Sequence, residues 1–231
     1  MTILAVTGLI REAETVGGFS SDRGSGNRSS GVIAVAGGGD GDGLKAKLDA
    51  LHGDIRGVIS IGLAGALSPH LKVGEVVIAD HVITGAEKWD CNEIWRNRLT
   101  SRLPHAHQGT QFGSDVVIDQ AATKAALHAV TGALAVDMES QVAARFAARR
   151  GLPLAALRVI SDDAGHVLPP AALVAMKPDG GLALGRILWS VMKKPAQIPA
   201  LVRTGRASSK AFGELLRCRD LCGVGLAGLD L

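Results

Sequence analysis

Two short segments place acids where they could do chemistry: "AVDMES" over residues 135–140 and "LRVISDDAG" over residues 157–165. In the second, a hydrophobic run ends in Ser161-Asp162. A carboxyl held at a strand end in an apolar surround keeps its proton near neutral pH and can donate it, so Asp162 is a candidate general acid. In the first, two carboxylates flank a thioether where a helix begins. One reading is structural: Asp137 caps the helix and Glu139 sits at its positive end. The other is functional: Glu139 accepts hydrogen bonds from a sugar diol while Met138 packs on the sugar's apolar face. The motif alone leaves both open.

Glycine-rich turns supply the other candidate chemistry. In "GVISIGLAGALSPHLKVGEVVIADHVI", residues 57–83, an apolar run ends in Gly62-Leu63-Ala64-Gly65. Small residues there let ligand atoms approach backbone N–H groups, or simply make a tight turn. "VAGGGDGDGL", residues 35–44, departs from the dinucleotide fingerprint, because Asp42 stands where the last glycine is needed. Its acids would also repel phosphate. His81 and His166 lie close in sequence to these segments and are candidates to line a site. The His105/His107 pair and the Cys218/Cys222 pair lack partners at metal-ligand spacing, so no metal is expected.

These residues need elements to hold them. Apolar runs at 3–6, 32–36, 58–61, 76–78, 116–118, 133–136 and 154–160 are rich in Val, Ile and Ala without strict alternation, which predicts strands covered on both faces. Three- and four-residue apolar spacing predicts helices over 44–51, 121–130 and 138–149. Strands alternating with helices imply an α/β fold with crossover connections and a site at the carboxyl ends of the strands. Residues 20–31, "SSDRGSGNRSSG", read as a surface loop in which Arg23 and Arg28 are candidate anion ligands. After Pro169 the chain becomes helical, basic and amphipathic; packing on the sheet or docking on an anionic membrane surface would each suit it.

Composition narrows the functions. With 231 residues, 47% of them hydrophobic, and no linker-like stretch in its middle, the chain suits a single domain. A net charge of +3 is too weak and scattered to argue for nucleic acid, and 3% aromatic residues with no tyrosine cannot build stacking platforms for bases. Three cysteines point to a reducing compartment, with the cytoplasm as the expectation.

Taken in order, "GLAGALSP-LKVGEVVIAD", "VDMES" and "RVISDDA" resemble the segments of the nucleoside phosphorylase and nucleosidase family, over about residues 1–165. Within it, "VDMES", "LPP" at 168–170 and the tail "AMKPDGG…LWSVMKKPAQIPALVRTG" are most similar to the hopanoid-associated phosphorylases. The resemblance implies a mixed central sheet flanked by helices, with a nucleoside phosphorylase-like α/β domain at 1–168. Residues 169–231 would be a helical, basic extension packing on that domain. It implies that Asp162 protonates the leaving purine with Ser161 orienting it, that Glu139 binds the ribose hydroxyls, and that Met138 packs on the ribose. Glu12 would align an attacking water. Ala64 and Gly65 would lie beside the base or nucleophile, with Phe112 or Val117 near the base. Arg23 and Arg28 would serve a phosphate.

Two departures stand out: Ala66 replaces the second glycine of the family's G-x-A-G-G, and Val116-Val117 stand where adenine nucleosidases carry an aromatic. The implied reaction is release of adenine, from adenosylhopane or from a soluble thioether adenosine, by phosphorolysis or hydrolysis. It needs no cofactor beyond phosphate as a co-substrate. A homo-oligomer with peripheral contact at the inner membrane surface is implied as well. The rival from another class is a non-catalytic nucleoside-binding or membrane-peripheral protein.

Overall fold

The computed structural model describes residues 2–17, 31–167, 189–190, 192–223 and 225–228. In chain order these form β1 (Thr2–Thr7), α1 (Ile10–Gly17), β2 (Val32–Ala36), α2 (Gly41–Asp49), β3 (Ile55–Ala66), β4 (Val76–Thr84) and β5 (Glu87–Asp90). There follow α3 (Glu93–Arg102), β6 (His107–Gly113), α4 (Ala121–Thr131), β7 (Ala135–Asp137), α5 (Ser140–Arg150), β8 (Leu154–Asp162) and a long helix α6 (Ile198–Cys222). The expected α/β fold with a mixed central sheet flanked by helices is what the chain forms.

The apolar runs are explained by which side of the sheet each residue meets. In β1, Ile3 and Ala5 join one core cluster with Ile59, Leu157, Trp95 and Phe212, while Leu4 and Val6 join another with Leu44, Leu48, Val142 and Phe146. Helices α1, α3 and α6 cover the first face; α2 and α5 cover the second. A strand buried on both sides has no polar side to show, so its sequence does not alternate.

Strands β2, β1, β3 and β8 run parallel in that order, and β4 pairs antiparallel with β8. Strand β4 also pairs with β6, β6 with β7, and β7 with the end of β3. Thus β3, β8, β4, β6 and β7 close a ring, and the carboxyl ends of β3 and β8 and the end of β7 come together on its rim.

One expected strand is absent. Residues 116–118 lie in the loop after β6, with Val116 63% and Val117 43% exposed. The strand here is instead the polar "HQGTQFG" of β6, held by ladder bonds to β4 and β7. Its stability comes from backbone pairing that side-chain hydrophobicity does not report.

Among the described residues no helix is long and apolar enough to cross a membrane. Residues Ala211, Phe212, Leu215, Cys218 and Cys222 of α6 are buried in the first core cluster with Leu226. Trp95 locks this region: its indole Nε1 donates to Leu226 O at 2.8 Å, and the ring fills the space where a Cβ on Gly57 or Gly228 would sit. Truncation of Trp95 to Ala is expected to destabilise the fold by about 3–5 kcal/mol. Urea denaturation would show it as a lowered midpoint; an unchanged midpoint would mean this anchor contributes little.

Candidate active site

The rim is built by a break in register. Along β3 and β8 the pairing steps from Ala64 opposite Ile160 to Gly65 opposite Asp162, leaving Ser161 as the extra residue of a bulge. A bulge bends its strand and re-aims side chains. Ser161 Oγ lies 3.1 Å from Asp162 Oδ1 and 3.2 Å from Ala64 O, while a Cβ on Gly65 would stand 3.1 Å from Asp162 Oδ2. Asp162, Ser161, Ala64 and Gly65 are thus brought together.

The acids of "AVDMES" divide their duties. Asp137 Oδ1 accepts the backbone N–H of Glu139 at 2.8 Å and of Ser140 at 2.7 Å, which caps α5. Its Oδ2 meets Gln111 Nε2 at 2.8 Å and Arg158 Nε at 2.9 Å. Glu139 is therefore free of the capping role, and its carboxyl turns to the β1–α1 junction. There a Cβ on Gly8 would lie 3.1 Å from Glu139 Oε1, so glycine makes room for the carboxylate.

Glu12 joins from α1. Its Oε2 accepts from Gly8 N at 2.7 Å and Leu9 N at 2.8 Å, and its Oε1 accepts from Leu63 N at 2.9 Å, tying α1 to the end of β3. Against it lies Arg158, fully buried in β8, whose Nη2 donates to Ser60 Oγ. Its Nη1 has no hydrogen-bond partner among the described residues. A Cβ on Gly62 would fall 2.8 Å from Glu12 Oε2 and 2.9 Å from Arg158 Nη1, so a larger residue there would push both side chains aside.

Burial pushes the Glu12 carboxyl above its ordinary range, opposed by the backbone N–H groups and Arg158. Burial also pushes Glu139 up to about 8; Arg158 opposes this, while the like charges of Asp137 and Glu12 add to it. An acid this strongly perturbed within a group of polar residues is a mark of a functional site.

Asp162 departs from the sequence-based expectation of an apolar surround. Lys124 of α4, fully buried, places its ammonium directly against Asp162 Oδ2, and also reaches Asp163 O at 3.2 Å and His166 O at 3.5 Å. The carboxylate faces a cation.

The remaining candidates fall as follows. Met138 lines a cavity of about 520 Å³ together with Gly39, Asp40, Lys45, Asp115 and Arg145. Phe112 packs beside Val136, Leu67 and Ile118, next to the β6–β7 pairing that leads to Asp137. Val117 sits exposed in the following loop. Arg23 and Arg28 lie outside the described residues. His81 is engaged across the β4–β5 hairpin with Asp90 Oδ1 at 2.8 Å, and His166 Nε2 lies 3.2 Å from Thr204 Oγ1 on α6.

Sequence reasoning missed Arg158, Lys124 and Gln111. A lone arginine inside the apolar "LRVISD" was the readable signal for the first, since such a charge is buried only with partners. Glutamine in the polar β6 offered none.

The raised pKa of Glu139 couples its protonation to stability. Between an ordinary 4.5 and about 8, folded Glu139 holds a proton that the unfolded chain has lost, so this group makes stability fall as pH rises through that window. Glu139→Gln is therefore expected to raise Tm relative to the parent near pH 9, and to raise it less near pH 5. Thermal melts at both values would check this; an equal difference at both would rule the effect out.

A family model described as the phosphorylase superfamily matches residues 44–191, more than half of the chain. Among solved structures, a 5′-methylthioadenosine/S-adenosylhomocysteine nucleosidase from S. pneumoniae aligns at 19% identity and a TM-score of 0.60, covering 94% of this chain and 99% of that one. A Helicobacter pylori nucleosidase variant, with 5′-methylthioadenosine in its active site, aligns at 14% identity and a TM-score of 0.65, covering 95% and 98%. A futalosine hydrolase variant from Helicobacter pylori aligns at 16% identity and a TM-score of 0.57, covering 70% and 90%. No curated protein matches the chain. With a phosphorylase-superfamily match over most of its sheet and a rim of acids at the strand ends, the chain belongs to the phosphorylase superfamily and is an enzyme of the nucleoside phosphorylase and nucleosidase kind.

Proposed function

We propose that the protein cleaves the N-glycosidic bond of a purine nucleoside and releases adenine, with adenosylhopane as the substrate. The observation that carries the cleavage reading is the convergence of Glu12, Asp137 and Glu139, all buried, around one arginine, with Asp162 on the same rim. Breaking the bond leaves positive charge on the sugar and negative charge on the base. Glu139 holds the ribose hydroxyls and stabilises the cationic sugar. Asp162, oriented by Ser161, passes a proton to the base, and Ala64 and Gly65 let the base approach the strand ends. Met138 packs on the ribose.

The acceptor is read from charge. Glu12, Asp137 and Glu139 share the single guanidinium of Arg158, which favours a water over a phosphate there; Glu12 and Arg158 Nη1, unpartnered among the described residues, can orient that water. Phosphorolysis would require basic groups such as Arg23 and Arg28. The lipid-linked substrate is supported by exposed Trp189 and Met192 beside Lys193 and Lys194, a surface suited to peripheral contact with an anionic membrane. The second reading, a soluble thioether adenosine, is favoured by similarity to nucleosidases whose names carry 5′-methylthioadenosine and S-adenosylhomocysteine.

Adenine release from a lipid-linked adenosine and from 5′-methylthioadenosine, each with and without phosphate, tests these together. Release without phosphate, faster from the lipid-linked substrate, is the expected result. Release only with phosphate would make the enzyme a phosphorylase, and release only from the thioether would discard the lipid. In the active case Asp162→Asn should lower kcat by about 10²–10⁴-fold. Binding without release in the parent protein would identify a non-catalytic binder.

A further inference from the structure

Lys124 is not accounted for by folding. Lysine on a surface helix ordinarily keeps its ammonium in water, yet this one is completely buried on α4. Its three N–H donors meet three acceptors: the Asp162 carboxylate and the backbone carbonyls of Asp163 and His166. Replacing a buried ion pair by apolar side chains is often neutral or stabilising, so stability alone gives no reason to bury one here. The Asp162 side chain retains 11% exposure on the rim, where a base would meet it, while Lys124 has none. The ammonium can therefore reach a substrate only through Asp162.

Resting on the N-glycosidic reading above, we infer that Lys124 is the source of the proton that Asp162 delivers to the leaving base. In the resting site the pair is an ammonium and a carboxylate. As the C–N bond lengthens and its electron pair moves onto the base, an Nζ–H bond of Lys124 breaks and an O–H bond forms on Asp162. The carboxylic acid then gives that proton to a ring nitrogen of the base and returns to carboxylate. Water adds to the sugar and releases one proton to solvent, and the neutral Lys124 amine regains one after the base departs. The pair carries no net charge until the base takes the proton; it then carries one negative charge on Asp162, at the partly exposed rim, which reprotonation of the Lys124 amine removes. Arginine could keep the ion pair but holds its protons too tightly to take part.

The test compares the parent enzyme with Lys124→Met and Lys124→Arg on two ribosides. One carries adenine, which needs a proton to leave. The other carries p-nitrophenolate, which leaves readily as an anion. Both variants are expected to lose about 100-fold or more in kcat for adenine release with KM within a few-fold, and to keep nitrophenolate release within a few-fold. Lys124→Arg retains the cation and so controls for folding. Adenine release at the parental rate in Lys124→Arg would overturn the inference, as would a parallel loss on both ribosides, which marks a merely structural lysine. A parent enzyme that releases neither leaving group would instead sink the N-glycosidic reading, and this step with it.

Discussion

One buried guanidinium organises the structure. Arg158 is drawn from the middle of a strand covered on both faces, and Asp137, Glu12 and Glu139 are gathered around it in an interior where unpaired charge is very costly. One cation cannot compensate three buried acids, so backbone N–H groups supply part of the rest and burial raises the pKa of Glu139 to about 8. Two N–H groups of the β1–α1 turn and one of β3 converge on Glu12, and the first N–H groups of α5 converge on Asp137. For those groups to reach, the ends of β1, β3 and β8 must lie level, which is what the parallel order β1-β3-β8 provides. Gly8 then leaves room for the Glu139 carboxylate, and Gly62 for the Glu12 carboxylate and the Arg158 guanidinium.

Glu139 is left as the under-compensated member of the group. Asp137 takes the helix cap and the ion pair, Glu12 takes three backbone donors, and burial then weighs most visibly on Glu139. Such a group is tolerable when a ligand completes it, since a sugar diol offers two hydroxyl donors to a carboxylate. Strain of this kind at a site, balanced by a well-packed body, is the usual division between function and stability. The body is supplied by α6, whose Phe212, Leu215 and Cys218 close the face of the sheet opposite α5.

How far the sequence discloses this follows from the range of each interaction. Strands β1, β2, β3 and β8 were readable because burial on both faces writes itself as an unbroken apolar run. Strand β6 was not, because its Gln, Gly and Thr are held by ladder bonds to distant strands, and the apolar 116–118 run that drew attention is exposed. Asp162 and Glu139 were readable as acids at element ends. What surrounds them was not: Lys124 meets Asp162 across 38 residues of sequence, and nothing local on α4 marks the lysine as inward-facing. The carboxyl expected in an apolar surround at Asp162 faces a buried cation instead.

The charges are graded along the bond to be broken. On the side assigned to the sugar stand the acids Glu12, Asp137 and Glu139 with one arginine; on the side assigned to the base stands Asp162 against Lys124. Were Lys124 absent, Asp162 would lose its neighbouring cation and, on the inference above, the donor that supplies its proton. With the ammonium in place, the field favours positive charge at the sugar without opposing negative charge at the base, before any substrate has moved. Charges already in place before the reaction are preorganised electrostatics, and at the base side the proton transfer then discharges Lys124 as the base leaves. On the function proposed above, Lys124 is thus the residue that sets the base side of the site apart from the sugar side.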